Sequence, residues 1–428
     1  MESRRRFLQT TTAAALAARS VMGANDRVQI AIIGTGNRIK LLGDAFFKQP
    51  DCTVAAAVDV YKSRLDQFVT TAGRKMDTYG DYRRVLDRKD IDAIVITTPD
   101  HWHAPIMVAA CEAGKDVYVE KPVSNSIPAA VKMLEAAQKY NRVVQVGTQQ
   151  RSWAHFQECA RMIQDGAIGN VSYVLIQWGG GPPLRAARPP ETTLPEGLDW
   201  DMWQGPAERR PYSSSRYNSW RSYYAYGGGL VTDWGVHWAD IVDLCMKYDL
   251  KAPLLASASA QYLGAEALDL EKVPGAFMVT WKYDSFLMSF TNVVPSSPEP
   301  VRGGPLFHGS RGDLLVNRSG YIVRPPTGST PVYAGQLALP ARSTPPPEPG
   351  PPPIEAKTMT ISDSAAGERG AEVVHVRNWL DCIKSRQKSA ADFEIGFHST
   401  LPCLLGLEAI RRERTVTWDP ANRTARSA

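Results

Sequence analysis

The chain reads as an α/β protein: a doubly wound parallel sheet, then a second α/β domain with an open, mostly antiparallel sheet. Three observations predict this. Short apolar strands alternate with helical segments from Arg27 to about Gln150, as in a parallel sheet covered on both faces. Beyond Gln150 the strands lengthen, with Gly, Pro or Asp-Ser between them, which suits antiparallel pairing. At 428 residues the chain exceeds one typical domain.

In order, Val28–Ile33 is an apolar strand and Lys40–Phe47 a short helix, followed by strand Thr53–Val58 and helix Lys62–Ala72. Asp92–Thr97, Asp116–Glu120 and Val143–Gly147 are further strands, with helices His103–Ala113 and Ile127–Tyr140 between them. In the second domain, 151–428, Val171–Trp178, Leu254–Leu263, Ala276–Tyr283 and Phe286–Asn292 read as strands, and Asp233–Lys247 and Val373–Ser385 as single helices. The proline-rich stretch 324–353 cannot enter a central strand and reads as a surface excursion.

Residues 1–24 stand apart from the fold. A basic start, Ser3-Arg4-Arg5-Arg6-Phe7-Leu8-Gln9, precedes a mildly apolar Thr10–Ala18 and the small-residue end Met22-Gly23-Ala24. That layout is a secretory signal, and the paired arginines before Phe-Leu resemble the twin-arginine type; an exported, periplasmic protein is expected. Without this segment 45 basic residues face 43 acidic ones, so the excess of +5 shrinks to about +2. No basic cluster with interleaved aromatics marks a nucleic-acid face, and no apolar run reaches the ~18 residues needed to span a bilayer. The six cysteines form no C-x-x-C pair or zinc spacing; Cys52, Cys111 and Cys245, in apolar or helical stretches, are expected as free buried thiols, while an oxidising compartment permits a disulfide whose pairing the sequence does not give.

Three motifs end strands, where open α/β sheets bind ligands. The first strand runs into Gly34-Thr35-Gly36-Asn37-Arg38-Ile39, a dinucleotide loop with Ile39 at the third glycine position. Gly34 permits the tight turn and Gly36 the approach of a pyrophosphate. Asp59 closes the second strand, where a carboxylate accepts from a ribose 2′-OH and repels a 2′-phosphate, favouring NAD over NADP. Thr97-Thr98-Pro99-Asp100-His101-Trp102-His103 ends another strand. Its two histidines do not share a helix face and lack a third ligand, so they read as polar lining and no metal is expected. Glu120-Lys121-Pro122 ends the next strand, with a lysine placed to meet a substrate hydroxyl.

These motifs, in this order, resemble the Gfo/Idh/MocA family, named for glucose–fructose oxidoreductase, inositol dehydrogenase and a rhizopine-catabolism protein. Gly147-Thr-Gln-Gln-Arg151, Leu198-Asp-Trp-Asp-Met-Trp203, Gly205-Pro206, Gly227-Gly-Gly-Leu-Val-Thr-Asp233-Trp-Gly-Val-His237, His308-Gly-Ser-Arg-Gly312 and Asn378-Trp-Leu-Asp-Cys-Ile-Lys384 extend the match over nearly the whole chain. The resemblance implies a Rossmann domain over 27–150 and a C-terminal sheet used for homo-oligomer contacts. It also implies a nicotinamide cofactor and a sugar or polyol substrate, with Lys121, Asp233 and His237 at the reacting hydroxyl. Gly34, Thr35, Gly36, Asn37, Arg38, Asp59, Thr98, Pro99, His103, Glu120, Lys121 and Gln149 are the candidate cofactor residues. Arg151, Trp203, Arg221, Tyr224, Asp233 and His237 are those for substrate.

The i,i+4 spacing of Asp233 and His237 suggests a carboxylate orienting an imidazole base. Lys121 would polarise the oxygen that becomes a carbonyl. Trp200, Trp203, Trp220, Tyr223, Tyr224 and Tyr226 could stack on sugar rings or serve as core or interface. The expected activity is an NAD-dependent oxidoreductase acting on a sugar hydroxyl, with the cofactor held tightly because an exported protein meets no free NAD pool. Alternatives are a redox-neutral NAD-dependent glycosidase (oxidation, elimination, addition, reduction) and a non-catalytic sugar-binding protein.

Overall fold

A computed structural model describes residues 27–178, 190–263, 271–293, 303–325 and 355–428. The expected signal, residues 1–24, and nearly all of the proline-rich stretch lie outside the described residues.

The first sheet has the strands β1 (Val28–Ile33), β2 (Cys52–Val58), β3 (Asp77–Tyr79), β4 (Ala93–Ile96), β5 (Asp116–Val119) and β6 (Val144–Val146), all parallel, in the order β3-β2-β1-β4-β5-β6. The order reverses between β1 and β4, which makes their carboxyl ends the expected ligand crevice. β4 and β5 are buried at every residue, so their apolar runs carry no alternation. Ile30, Ile32, Val95 and Phe46 are fully buried, each contributing about 1.5–3 kcal/mol.

The second sheet has ten strands, with β7 (Val171–Gln177) central: β14-β13-β12-β11-β7-β10-β9-β8-β15-β16. Here β8 is Leu255–Gln261, β9 Ala276–Lys282, β10 Leu287–Thr291, β11 Gly304–Gly309, β12 Gly312–Asn317, β13 Gly320–Arg324, β14 Lys357–Thr360, β15 Val416–Asp419 and β16 Thr424–Ser427. Only β7 and β10 pair in parallel, as the mostly antiparallel expectation requires. The Phe393–Arg412 helix packs on this sheet, its Pro402 carbonyl accepting from Trp281 Nε1 at 2.7 Å. On the other face Met278 and Leu287 are exposed.

Two helices depart from the sequence reading. The expected Val373–Ser385 helix begins at Ser364, capped by the Asp363 side chain, which accepts from the Ala366 amide. It packs against the first sheet, where Trp379 meets Phe46 and Tyr118 edge-on and Arg377 and Lys384 pair with Asp51. The second domain's chain thus completes the first domain's core. The expected Asp233–Lys247 helix divides at Trp234 into Gly229–Asp233 and Gly235–Met246. At Gly235 a Cβ would stand 2.9 Å from Cys403 Sγ, so this turn is pressed against the Phe393–Arg412 helix.

Candidate active site

A cleft of about 490 Å³ opens at the β1/β4 reversal and runs between the two domains. Gly34 makes the turn out of β1 at φ +96°, and a Cβ there would stand 2.8 Å from the Thr97 carbonyl carbon. Both the dihedral and the space therefore demand glycine. Gly36 precedes the Asn37–Phe47 helix, whose first turn has neither a side-chain cap nor an acidic residue. Its free amides and the positive end of its dipole remain for an anion.

Asp59 is held in place beside this loop. Its Oδ2 accepts from the Thr35 amide at 2.7 Å and the Thr35 hydroxyl at 2.9 Å, and its Oδ1 accepts from the Tyr61 amide at 2.9 Å. Thr35, expected to touch the cofactor, is instead turned onto this acid. Arg38 donates through Nε to Glu120 at 2.7 Å and through Nη1 to Glu372 at 2.5 Å. Burial works against its charge, yet the two carboxylates outweigh it and hold its pKa above the ordinary guanidinium value. Gly147 leaves room for Glu120, whose Oε1 would lie 2.5 Å from a Cβ there. Arg38 Nη2, Thr98 Oγ1 and Gln149 Oε1 are buried with no partner among the described residues. All three residues line the cleft with Gly36, Asn37, Asp59 and Pro99, and a dinucleotide's phosphates and hydroxyls would satisfy them. The residues present therefore fit NAD.

The loop after β4 is fastened from both sides. The Trp203 carbonyl accepts from Trp102 Nε1 at 2.9 Å and faces His101 Nε2 at 3.1 Å. His103 places Nδ1 2.8 Å from the Pro122 carbonyl and Nε2 3.0 Å from that of Thr98. Burial lowers its pKa, so a neutral ring carries one proton for these two acceptors. His103, expected at the cofactor, joins the Thr98 loop to the Lys121–Pro122 turn, although it also lines the cleft. Asp100 is buried at the cleft wall; burial, opposed chiefly by Arg221, pushes it up to about 8.

Lys121 and the Asp233–His237 segment converge here from different domains. Lys121 Nζ donates to Asp233 Oδ1 at 2.9 Å and to the Asp233 carbonyl at 2.7 Å. The helix break at Trp234 frees that carbonyl. Arg221 Nε approaches Asp233 Oδ1 at 3.2 Å. Burial alone would raise the Asp233 carboxyl, but Lys121 and Arg221 outweigh it and the net shift is downward. The expected Asp233–His237 pair is thus replaced: the carboxylate orients Lys121, because the broken helix removes the one-face geometry.

His237 Nε2 lies 3.4 Å from Arg318 Nη2, while its Nδ1 is buried without a partner among the described residues. A guanidinium can only donate, so Nε2 is the acceptor and the ring proton sits on Nδ1. Burial first, then Lys121 and Arg318, hold this pKa well below the usual imidazole value. The ring is neutral, with its Nε2 lone pair towards Arg318, which also lines the cleft. Arg318, in the β12–β13 turn, also donates to Gln150 at 2.8 Å and pairs with Glu368 at 2.9 Å.

Two expected substrate residues lie elsewhere. Arg151 is buried in ion pairs with Asp240 and Asp249 at 2.7 and 2.9 Å, which use its fork for structure. Tyr224 lines a separate cavity with Glu271 and Arg411, whose guanidinium lies 5.1 Å over its ring. Trp203 and Arg221 do line the cleft. Arg318, Glu368 and Glu372 were not anticipated: the first follows from a hairpin turn, the others from a helix that starts earlier than its periodicity suggested.

Residues 28–148 match the family model described as "Oxidoreductase family, NAD-binding Rossmann fold". Residues 176–284 match its companion, "Oxidoreductase family, C-terminal alpha/beta domain", and together the two cover more than half of the chain. The chain belongs to the Gfo/Idh/MocA oxidoreductase family. Among curated members it is 28% identical over 146 residues to inositol 2-dehydrogenase of Salmonella typhimurium (34% of this chain, 42% of that protein). To a glycosyl hydrolase family 109 protein of Saccharopolyspora erythraea it is 29% identical over 167 residues (36% of each chain). The match therefore spans less than half the length of either relative. A levoglucosan dehydrogenase solved with NADH and levoglucosan superposes with a TM-score of 0.65 at 17% identity, covering 91% of this chain and 99% of that one. That likeness shows a shared fold over 91% of this chain.

Proposed function

We propose that this Gfo/Idh/MocA protein is an NAD-dependent dehydrogenase acting on a secondary hydroxyl of a sugar or polyol. The observation that carries the reading is the meeting of Lys121 and His237, from different domains, in a cleft that opens onto the dinucleotide loop. NAD, when bound, supplies the acceptor for the hydride leaving the carbinol carbon. His237 Nε2, neutral and deprotonated, takes the hydroxyl proton once the substrate hydroxyl displaces its long 3.4 Å contact with Arg318. Lys121 has three donors and two are taken by Asp233; the third faces the oxygen on which negative charge develops. Asp233 fixes the ammonium in that position. Support comes also from the inositol and levoglucosan dehydrogenases among the similar proteins.

NAD is favoured over NADP because the Asp59 carboxylate repels a 2′-phosphate. The nearby cations are engaged: Lys62 pairs with Asp66 at 2.5 Å, and Arg64 lies 4.8 Å over the Tyr217 ring. Purified protein with NAD and a panel of sugars and polyols should form NADH, and His237→Ala should abolish it. Full turnover in that variant refutes the mechanism.

A second reading, a redox-neutral glycosidase, draws on the family 109 relative. Glycoside cleavage by protein as purified, with no added NAD and no net NADH, would establish it in place of the first.

The export reading rests on residues 3–24, and fractionation should place the mature chain in the periplasm; a cytoplasmic, uncleaved chain refutes it. We also propose a homo-oligomer through the exposed face of the second sheet, where Met278 and Leu287 stand about half exposed. A monomeric mass by light scattering refutes that.

A further inference from the structure

The substrate end of the cleft holds a cation whose hydrogen-bonding capacity the protein leaves largely unused. Arg221 lies over the Trp220 ring, 4.2 Å from its centroid, which fixes the plane of the guanidinium. Its Nε approaches Asp233 Oδ1 at 3.2 Å, the same oxygen that accepts from Lys121 Nζ at 2.9 Å. One carboxylate is thus shared by two cations. Among the described residues neither Nη of Arg221 makes a hydrogen bond, and the side chain lines the cleft at 50% exposure.

The neighbouring charges are unevenly paired. Arg318 and Glu368 neutralise each other at 2.9 Å. Asp233 offsets one of Lys121 and Arg221. Glu120 and Glu372 share Arg38, and burial, opposed by Arg221, pushes Asp100 up to about 8, so near pH 7 it is mostly uncharged. His237 is held neutral by burial and the adjacent cations. Lys121 and Arg221 thus share the single carboxylate of Asp233, and an anion bound on the unused Nη groups of Arg221 would complete the pairing.

We infer that the substrate is an acidic sugar, a uronic or aldonic acid or its glycoside, whose carboxylate docks on the two free Nη groups of Arg221 while its reacting hydroxyl lies between Lys121 and His237. This rests on the dehydrogenase reading above. A carboxylate matches the planar fork of the two unused Nη groups.

The test uses matched sets: glucose, glucuronate, gluconate and glucose 6-phosphate, with the galactose series alongside. With NAD, the acids should exceed the neutral sugars in kcat/KM by about ten-fold or more, chiefly through KM. In Arg221→Gln that ratio should collapse towards one, and Arg221→Lys should restore only part of it, since a point charge lacks the fork. Retained NADH affinity reports that the variants are folded. Preference for neutral sugars or sugar phosphates, or an equal loss of acid and neutral substrates in Arg221→Gln, overturns the inference and leaves the dehydrogenase reading standing. If nothing is oxidised, that reading fails, and calorimetry decides the inference alone: uronate binding lost in Arg221→Gln supports it, and no uronate binding overturns it.

Discussion

Replacing Lys121 with Met removes one charge while keeping the stem that packs beside it. Two bonds disappear, to Asp233 Oδ1 at 2.9 Å and to its carbonyl at 2.7 Å. Hydrogen bonds to charged groups contribute about 1.5–3 kcal/mol each. The lysine side chain is 10% exposed, so solvent screens little of this. Asp233 keeps Arg221 at 3.2 Å, which should hold the net destabilisation to about 2–4 kcal/mol. The Asp233 carboxyl loses the foremost cation opposing its burial, so its pKa rises and it remains anionic only at higher pH. The larger effect falls on the reaction, where no ammonium remains beside the developing alkoxide. The expected loss is about 10²–10³ in kcat, or about 2.7–4 kcal/mol of transition-state stabilisation. The assay is initial-rate NADH formation with the best sugar, alongside NADH affinity by fluorescence. A kcat within about three-fold of the parent, with NADH affinity intact, refutes the electrostatic role of Lys121.

Four further outcomes are expected. Arg318→Gln removes a positive neighbour of His237, so its imidazole gains proton affinity and the acid limb of the kcat/KM profile moves to higher pH; an unmoved limb excludes His237 as the group reported. Gly34→Ala forces a side chain into φ +96° and against Thr97, costing about 1–3 kcal/mol and weakening NADH binding by about ten-fold or more; unchanged affinity removes this turn from the cofactor site. Asp59→Asn keeps the shape and loses the charge, so the ratio of NADH to NADPH affinity should fall, as competitive titration would reveal. Arg151→Met leaves Asp240 and Asp249 without their cation, and about 3–5 kcal/mol of stability should go, measured by urea unfolding; kcat should persist below the melting range, since Arg151 contacts no cleft group.

Much of the site was legible because it is local. Gly34, Gly36, Asp59, Thr98 and Lys121 each sit at a strand end, and period and punctuation locate strand ends from sequence alone. Thr35 and His103 lie in the right loops, yet their side chains turn inward to bond Asp59 and two backbone carbonyls. Backbone position was readable in them, and side-chain direction was not. Glu368 and Glu372 escaped because Gly367 and Gly370 weaken the apparent helix start. At Gly367 a Cβ would collide with the Trp153 indole, a packing reason that is invisible in local propensity. The Phe393–Arg412 helix is buried nearly all round, so it lacks the amphipathic period that reveals most helices.

The sequence by itself determined the parallel sheet, its ligand edge and the dinucleotide loop. These follow from alternation, glycine placement and residue chemistry, all read within a few positions. Only the tertiary structure decided who partners whom. It gave Asp233 to Lys121 and Arg221, because the helix breaks at Trp234 and frees a carbonyl. It gave His237 its tautomer through Arg318, 81 residues away, and committed Arg151 to a buried ion pair. Charge pairing is set by distance in space and by desolvation, and neither is written in the spacing of residues along the chain.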